Sequence, residues 1–172
     1  VLAADGLLHR PDLSSGEQAL QLFMQLAGRA GRGDKPGTVV VQTYCPEHPV
    51  ILHLIDGRYE EFLKEEAQLR KEAGLVPYSR ACLLRFSGKS TSATANAASI
   101  LAQYIKPFCD TKGWTMIGPA PALVSKIAGK SRWQLLLHGP EASSLPFPDH
   151  IDLWSCLPKE VNLSIDPDPL HL

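Results

Sequence analysis

The sequence predicts an α/β protein in two parts. Two segments with helical apolar spacing, one starting at Ser14 and one after Asp56, flank a β-branched run, "GTVVVQTY" at 37–44. At "GLVPYSR" (74–80) a helix stop, a proline and a fresh strand follow one another, the best candidate boundary in the chain. Beyond it the elements read strand, helix, three strands and a last strand, a small α+β domain of βαββαβ-like order. With 172 residues, 44% hydrophobic and 20% charged, the chain can bury one good core or two small ones, which excludes a disordered class.

Taken in order, "VLAADGLLH" reads as the end of a buried strand and a turn at Asp5-Gly6. Ser14 and Glu17 have the spacing of a capping box, opening a helix whose Leu20, Phe23 and Ala27 share a face widened by Leu22 and Leu26. The β-branched run at 37–44 predicts a strand, and Pro46 and Pro49 break the chain after it. Asp56 is the expected N-cap of the next helix, with apolar positions at 59, 62, 63, 69 and 73, pairs Glu60/Lys64 and Glu66/Arg70 four apart, and Gly74 at its close. The second part predicts strands at 81–87, 114–118, 122–127, 132–138 and 161–166, and a helix over about 91–110. Pro146 and Pro148 restrict any second helix to a few turns, and "AGKS" turns between two strands.

The net charge of −1 conceals a gradient. From Arg80 to Arg132 eight Lys or Arg face one acid, Asp110, whereas from Trp133 onward one Lys faces six acids. The basic section suits phosphates or an acidic peptide, and equally a solvated face. Cys45, Cys82, Cys109 and Cys156 form no C-x-x-C pair, so they read as isolated buried thiols and not as a zinc or redox motif. The six histidines show no metal-ligand spacing. No apolar run is long enough to span a bilayer and no signal peptide opens the chain, which favours a reduced cytoplasm. Val1 stands in an apolar stretch in place of a methionine, as in the middle of a larger protein.

The stretch "MQLAGRAGRGDKPG" (24–37) carries the most chemistry. If the helix runs on through it, Gln25, Arg29 and Arg32 fall at i, i+4 and i+7 on one polar stripe. Glycines inside a helix cost roughly 1 kcal/mol each against alanine, so Gly28 and Gly31 imply that something approaches the backbone there. Two guanidiniums and an amide suit a polyphosphate, since each arginine donates bidentately and keeps its charge. A solvated arginine face at a frayed helix end is the alternative.

"QLAGRAGRGDKPG" resembles the last motif of superfamily-two helicases, Q-x-x-G-R-x-G-R. With "ADGLLHRPD" before it, "QTYCPEHPVI" after it, and "GPAPALVSKIAGKSRWQLLL" and "VNLSIDPDPL" later, the chain is similar throughout to the primosomal protein N-prime (PriA) family of bacterial replication-restart DNA helicases. The resemblance implies that residues 1–76 are the end of the second RecA-like helicase lobe, with the arginine motif, and 77–172 the family's C-terminal domain. It implies that Arg32, and with it Arg29, reaches the ATP γ-phosphate as an arginine finger, that Gln25 positions the phosphate or attacking water, and that Asp5, Gly6 and Glu17 belong to the region linking nucleotide to DNA. It further implies 3′–5′ helicase activity in the full-length protein with ATP and Mg²⁺, and zinc only in a part of the protein upstream of this chain. The implied partners are branched or forked DNA, other primosome proteins and the acidic tail of single-stranded DNA-binding protein; no membrane is implied.

The chain has no G-x-x-x-x-G-K-[ST] phosphate loop and no acidic magnesium motif, so it is not expected to hydrolyse ATP alone. It departs from the family at Val76-Pro77, where a double proline is usual, and in a shortened last helix. On strand 132–138, alternation puts Trp133, Leu135 and Leu137 on one face and Arg132 and Gln134, joined by Lys130, on the other. That ladder suits a carboxylate-rich peptide or a DNA phosphate, and an ordinary polar sheet face is the plainer reading. The family resemblance adds weight to binding. Trp114 and Tyr104 could stack on bases and more often would pack in a core.

Overall fold

The computed structural model describes residues 2–10, 12, 14–30, 37–148 and 153–169, which form two compact units meeting in sequence between Glu72 and Ala73. In the first unit a two-residue strand β1 (Leu2–Ala3) pairs in parallel with β2 (Val41–Gln42), in the register Leu2↔Val41 and Ala3↔Gln42. Four helices accompany them: α1 (Asp5–Leu8), α2 (Ser15–Ala30), α3 (Pro49–Asp56) and α4 (Tyr59–Glu72). The core is small, built from Ala4, Leu8, Ala19, Leu20, Phe23, Val50, Ile51 and Phe62.

Several local expectations change here. The turn at Asp5-Gly6 is a helical one, α1. Pro49 does not break the chain: it sits in the first turn of α3, where the missing N–H costs nothing, behind His48, whose ring accepts the Val50 N–H at 3.3 Å. Asp56 therefore ends α3 instead of capping α4, and its carboxylate pairs with Arg58. Only Val41 and Gln42 of the β-branched run are paired, because β1 is their only strand partner among the described residues; Val39 and Val40 remain exposed. Glu17 does not close a capping box. It pairs with Arg70 of α4 at 2.9 Å, and Arg70 also holds Glu66 at 2.9 Å, a charge-assisted bridge that outcompetes a backbone cap.

The second unit is a four-stranded antiparallel sheet with one long helix on one face. Its elements are β3 (Ser79–Gly88), α5 (Thr91–Lys112), β4 (Thr115–Ile127), β5 (Lys130–Pro140) and β6 (Val161–Pro167), in the sheet order β4-β5-β3-β6. That order, with β5 between two strands joined through a helix, is a split β-α-β arrangement, and the two strands expected over 114–127 are one strand with register shifts. The second helix is reduced to a 3₁₀ turn at Leu153–Cys156 among the described residues.

Periodicity explains how the helix docks. Ser90 caps α5 by accepting the Ala93 N–H at 3.2 Å, and Thr94, Ala97, Ala98, Leu101, Ala102, Ile105 and Cys109 form its buried stripe. Pro107 is tolerated because the carbonyl it leaves free, that of Gln103, lies on the exposed side. Opposite the helix, Cys82, Leu84 and Phe86 of β3 meet Leu135 and Leu137 of β5 and Leu163 of β6. Trp114 is buried against Gly139, where a Cβ would stand 2.3 Å from the indole, so only glycine lets the ring lie on the strand. A two-residue turn, Ala128-Gly129 with φ 49° and 76°, joins β4 to β5 as the positive angles of a tight hairpin require.

The charge gradient closes on itself in space. Antiparallel pairing of β3 with β6 brings Arg85 to Asp166 at 2.7 Å and Arg80 to Asp168 at 2.7 Å. The Arg80 hydrogen bond holds the Asp168 carboxyl below its ordinary range, against a smaller opposing effect of burial. A carboxyl lowered on folding stabilises the protein above its unfolded pKa of about 3.9, and that contribution disappears as pH falls through the lower folded value. Because the pair is partly exposed, it is worth about 0.2–1 kcal/mol. Asp168→Asn is thus expected to lower the urea midpoint at pH 6 and to match the parent at pH 2; an undiminished gap at pH 2 would contradict the ion pair.

Candidate functional site

The arginine motif begins on the last two turns of α2. Its first half is anchored by Ala19, Leu20 and Phe23, whereas Leu22, Met24, Ala27 and Gly28 are exposed, so the predicted apolar face is covered only as far as the small core reaches. Gln25 and Arg29 both stand exposed one turn apart on this uncovered end. A Cβ at Gly28 would meet nothing within 4 Å, so packing among the described residues does not account for the glycine. No described acid lies within ion-pair distance of Arg29. Arg32, the other predicted finger, lies outside the described residues.

Asp5 and Gly6 lie on α1 and Glu17 on α2, where Glu17 is held by Arg70. Asp5 opens α1 and turns toward β2: Thr43 Oγ1 donates to Asp5 Oδ1 at 2.9 Å and the Tyr44 N–H donates to the same oxygen at 3.0 Å. Desolvation, the largest single influence, raises its pKa, yet these bonds and the nearby His9 together outweigh it and leave the carboxyl below its ordinary value.

In the second unit alternation along β5 holds as expected. Trp133, Leu135 and Leu137 face the α5 core, and Arg132 and Gln134 lie half-buried on the open face, with Lys130 exposed at the hairpin end. Register puts Arg85 directly opposite Gln134 and Ser87 opposite Arg132, which adds to that face a guanidinium that sequence reading left out. The signal for it was available in the alternation of β3, where Arg85 falls between inward-facing Leu84 and Phe86. Arg85 is engaged by Asp166, whereas no described acid lies within ion-pair distance of Lys130 or Arg132. On this face Lys130 and Arg132 are therefore cations without an acidic partner among the described residues. Trp114 is buried and Tyr104 packs against the core, so neither is a free stacking platform.

Residues 71–170, more than half of the chain, match the family model of the primosomal protein N C-terminal domain. The chain belongs to that family. It is 38% identical over its whole length to the replication restart protein PriA of Synechocystis sp., of which it spans 20%. Against the PriA proteins of Haemophilus influenzae and Bacillus subtilis it is 40% and 37% identical, over 82% and 80% of the chain and 19% and 17% of those proteins. The chain thus spans about a fifth of the length of these relatives, and it aligns with a C-terminal part of them. No described helix is long and apolar enough to cross a membrane.

Proposed function

We propose that this chain is the C-terminal part of an ATP-dependent DNA helicase of replication restart and primosome assembly, with residues 1–76 closing a second RecA-like lobe. Arg32 and Arg29 contribute to the ATP site and Gln25 orients the phosphate or the attacking water. The observation that carries this reading is the uncovered end of α2, where Gln25 and Arg29 stand exposed beside a glycine that no neighbour among the described residues requires. Charge develops on the phosphoryl oxygens as the γ-phosphate transfers, and a fixed guanidinium stabilises it there. The chain offers donors to phosphate but no magnesium motif, so ATP and Mg²⁺ are held by the rest of the protein and the chain alone does not hydrolyse ATP. Asp5, Gly6 and Glu17 belong to the region that links nucleotide to DNA, and translocation runs 3′–5′. The test is the steady-state ATPase and DNA affinity of the full-length protein with Arg32→Ala or Arg29→Ala. Loss of turnover with DNA affinity kept supports the reading. Lost affinity and a shallower salt dependence with turnover kept would assign the arginines to backbone phosphates instead.

The second unit is a docking domain for branched DNA, primosome proteins and the acidic tail of single-stranded DNA-binding protein. Lys130, Arg132 and Gln134 supply the contact, supported by the absence of an internal acid partner for either cation among the described residues. Replacing all three by alanine is expected to weaken binding of an acidic peptide in fluorescence anisotropy by about tenfold or more, since charge-assisted hydrogen bonds contribute about 1.5–3 kcal/mol each. Unchanged affinity would refute the assignment.

A further inference from the structure

We infer that Asp5, His9 and Cys45 form a zinc site with one coordination position open to water. Their ligand atoms all lie within 4.8 Å of one another. The Cys45 Sγ and His9 Nε2 are 3.7 Å apart. A tetrahedral zinc with Zn–S of about 2.3 Å and Zn–N of about 2.0–2.1 Å places those two atoms about 3.6 Å apart, so this edge of the tetrahedron is already formed. Thiolate and imidazole favour zinc over the hard cations, and thiolate plus carboxylate balance its charge.

The backbone brings the three together from well-separated segments. Asp5 and His9 are four residues apart across the single turn of α1, so both project to one side. The parallel register Ala3↔Gln42 leads both chain segments off the same end of the strand pair, which sets residues 43–45 beside Asp5. Thr43 then holds two of the ligands at once: its hydroxyl donates to Asp5 Oδ1 and accepts the Cys45 N–H at 2.9 Å. With Oδ1 engaged, Oδ2 remains for the ion, and this outer network orients the ligands as metal sites require. His48 borders the site, its ring edge-on to His9 at 6.0 Å between centroids, with Nδ1 committed to the Val50 N–H. The ion would clasp α1 to the segment after β2 and so close the loop that carries α2 and its exposed Arg29. This inference does not rest on the proposed ATP chemistry.

The metal-free chain supplies its own test, because its other cysteines are internal controls. Cys156 is exposed, whereas Cys82 and Cys109 are buried, and burial pushes the Cys82 thiol up to about 12. One equivalent of Zn²⁺ is expected to slow iodoacetamide modification of Cys45 by roughly tenfold or more, leaving Cys156 unaffected, as read by mass spectrometry of each cysteine peptide. His9→Ala, at an exposed position, is expected to remove the protection with the far-ultraviolet circular dichroism unchanged. Co²⁺ should give a thiolate charge-transfer band that Cys45→Ser abolishes and Cys156→Ser retains. Equal protection of Cys45 and Cys156, protection that survives in His9→Ala, or no cobalt band would overturn the site.

Discussion

Arg32→Ala in the full-length protein is expected to lower ATP turnover by about 10³–10⁵-fold, the range an arginine finger contributes to phosphoryl transfer. At about 1.4 kcal/mol per decade that is a loss of about 4–7 kcal/mol of transition-state stabilisation. Such a loss should fall on kcat and not on KM for ATP, because the interaction strengthens only as charge moves onto the transferring phosphoryl oxygens. DNA affinity and its salt slope should hardly change, since on this reading the guanidinium faces the nucleotide and releases no counterion from the DNA backbone. Arg29→Ala, three positions earlier in the sequence and on the exposed end of α2, is expected to show the same pattern with a smaller drop. Lysine at either position keeps the charge but not the planar two-pronged donor, and should restore only part of the rate. A rise in KM with kcat intact would remove the finger role.

Phe86→Ala is expected to cost about 3–5 kcal/mol, because it removes transfer energy and leaves a cavity. Phe86 is fully buried at the centre of the second unit, on the inner strand β3, with Trp133 opposite it on β5 and Leu163 on β6. Strands on both sides and α5 above limit how far the site can collapse. Ile100, on the outer side of the same helix and 54% exposed, is the control: its alanine variant should lose less than about 1 kcal/mol. Equilibrium urea unfolding followed by circular dichroism measures both. Similar losses at the two positions would mean that this sheet face is not the core.

The α2 and α5 helices, the strands of the second unit and the inward side of β5 were legible because each rests on a short-range period that the chain carries with it. The reading failed where a neighbour overrides local preference. Pro49 looks like a breaker and is a helix start, since a first-turn proline loses nothing. The run at 37–44 looks like a full strand, yet only Val41 and Gln42 are paired among the described residues. Glu17 has the spacing of a cap and is taken by Arg70, 53 positions along the chain.

The candidate sites divide the same way. Gln25 and Arg29 share a stripe by helical arithmetic alone, and Arg132 and Gln134 share a face by the alternation of a strand. The sequence by itself determined those two surfaces, along with the family to which the chain belongs. Only the tertiary structure decided that Arg85 stands opposite Gln134, that the acidic end answers Arg80 and Arg85, and that Asp5 and His9 meet Cys45. Each of those depends on the register between strands far apart in the chain. Register is set by packing one face of a sheet or the ends of a strand pair, and no local period encodes it.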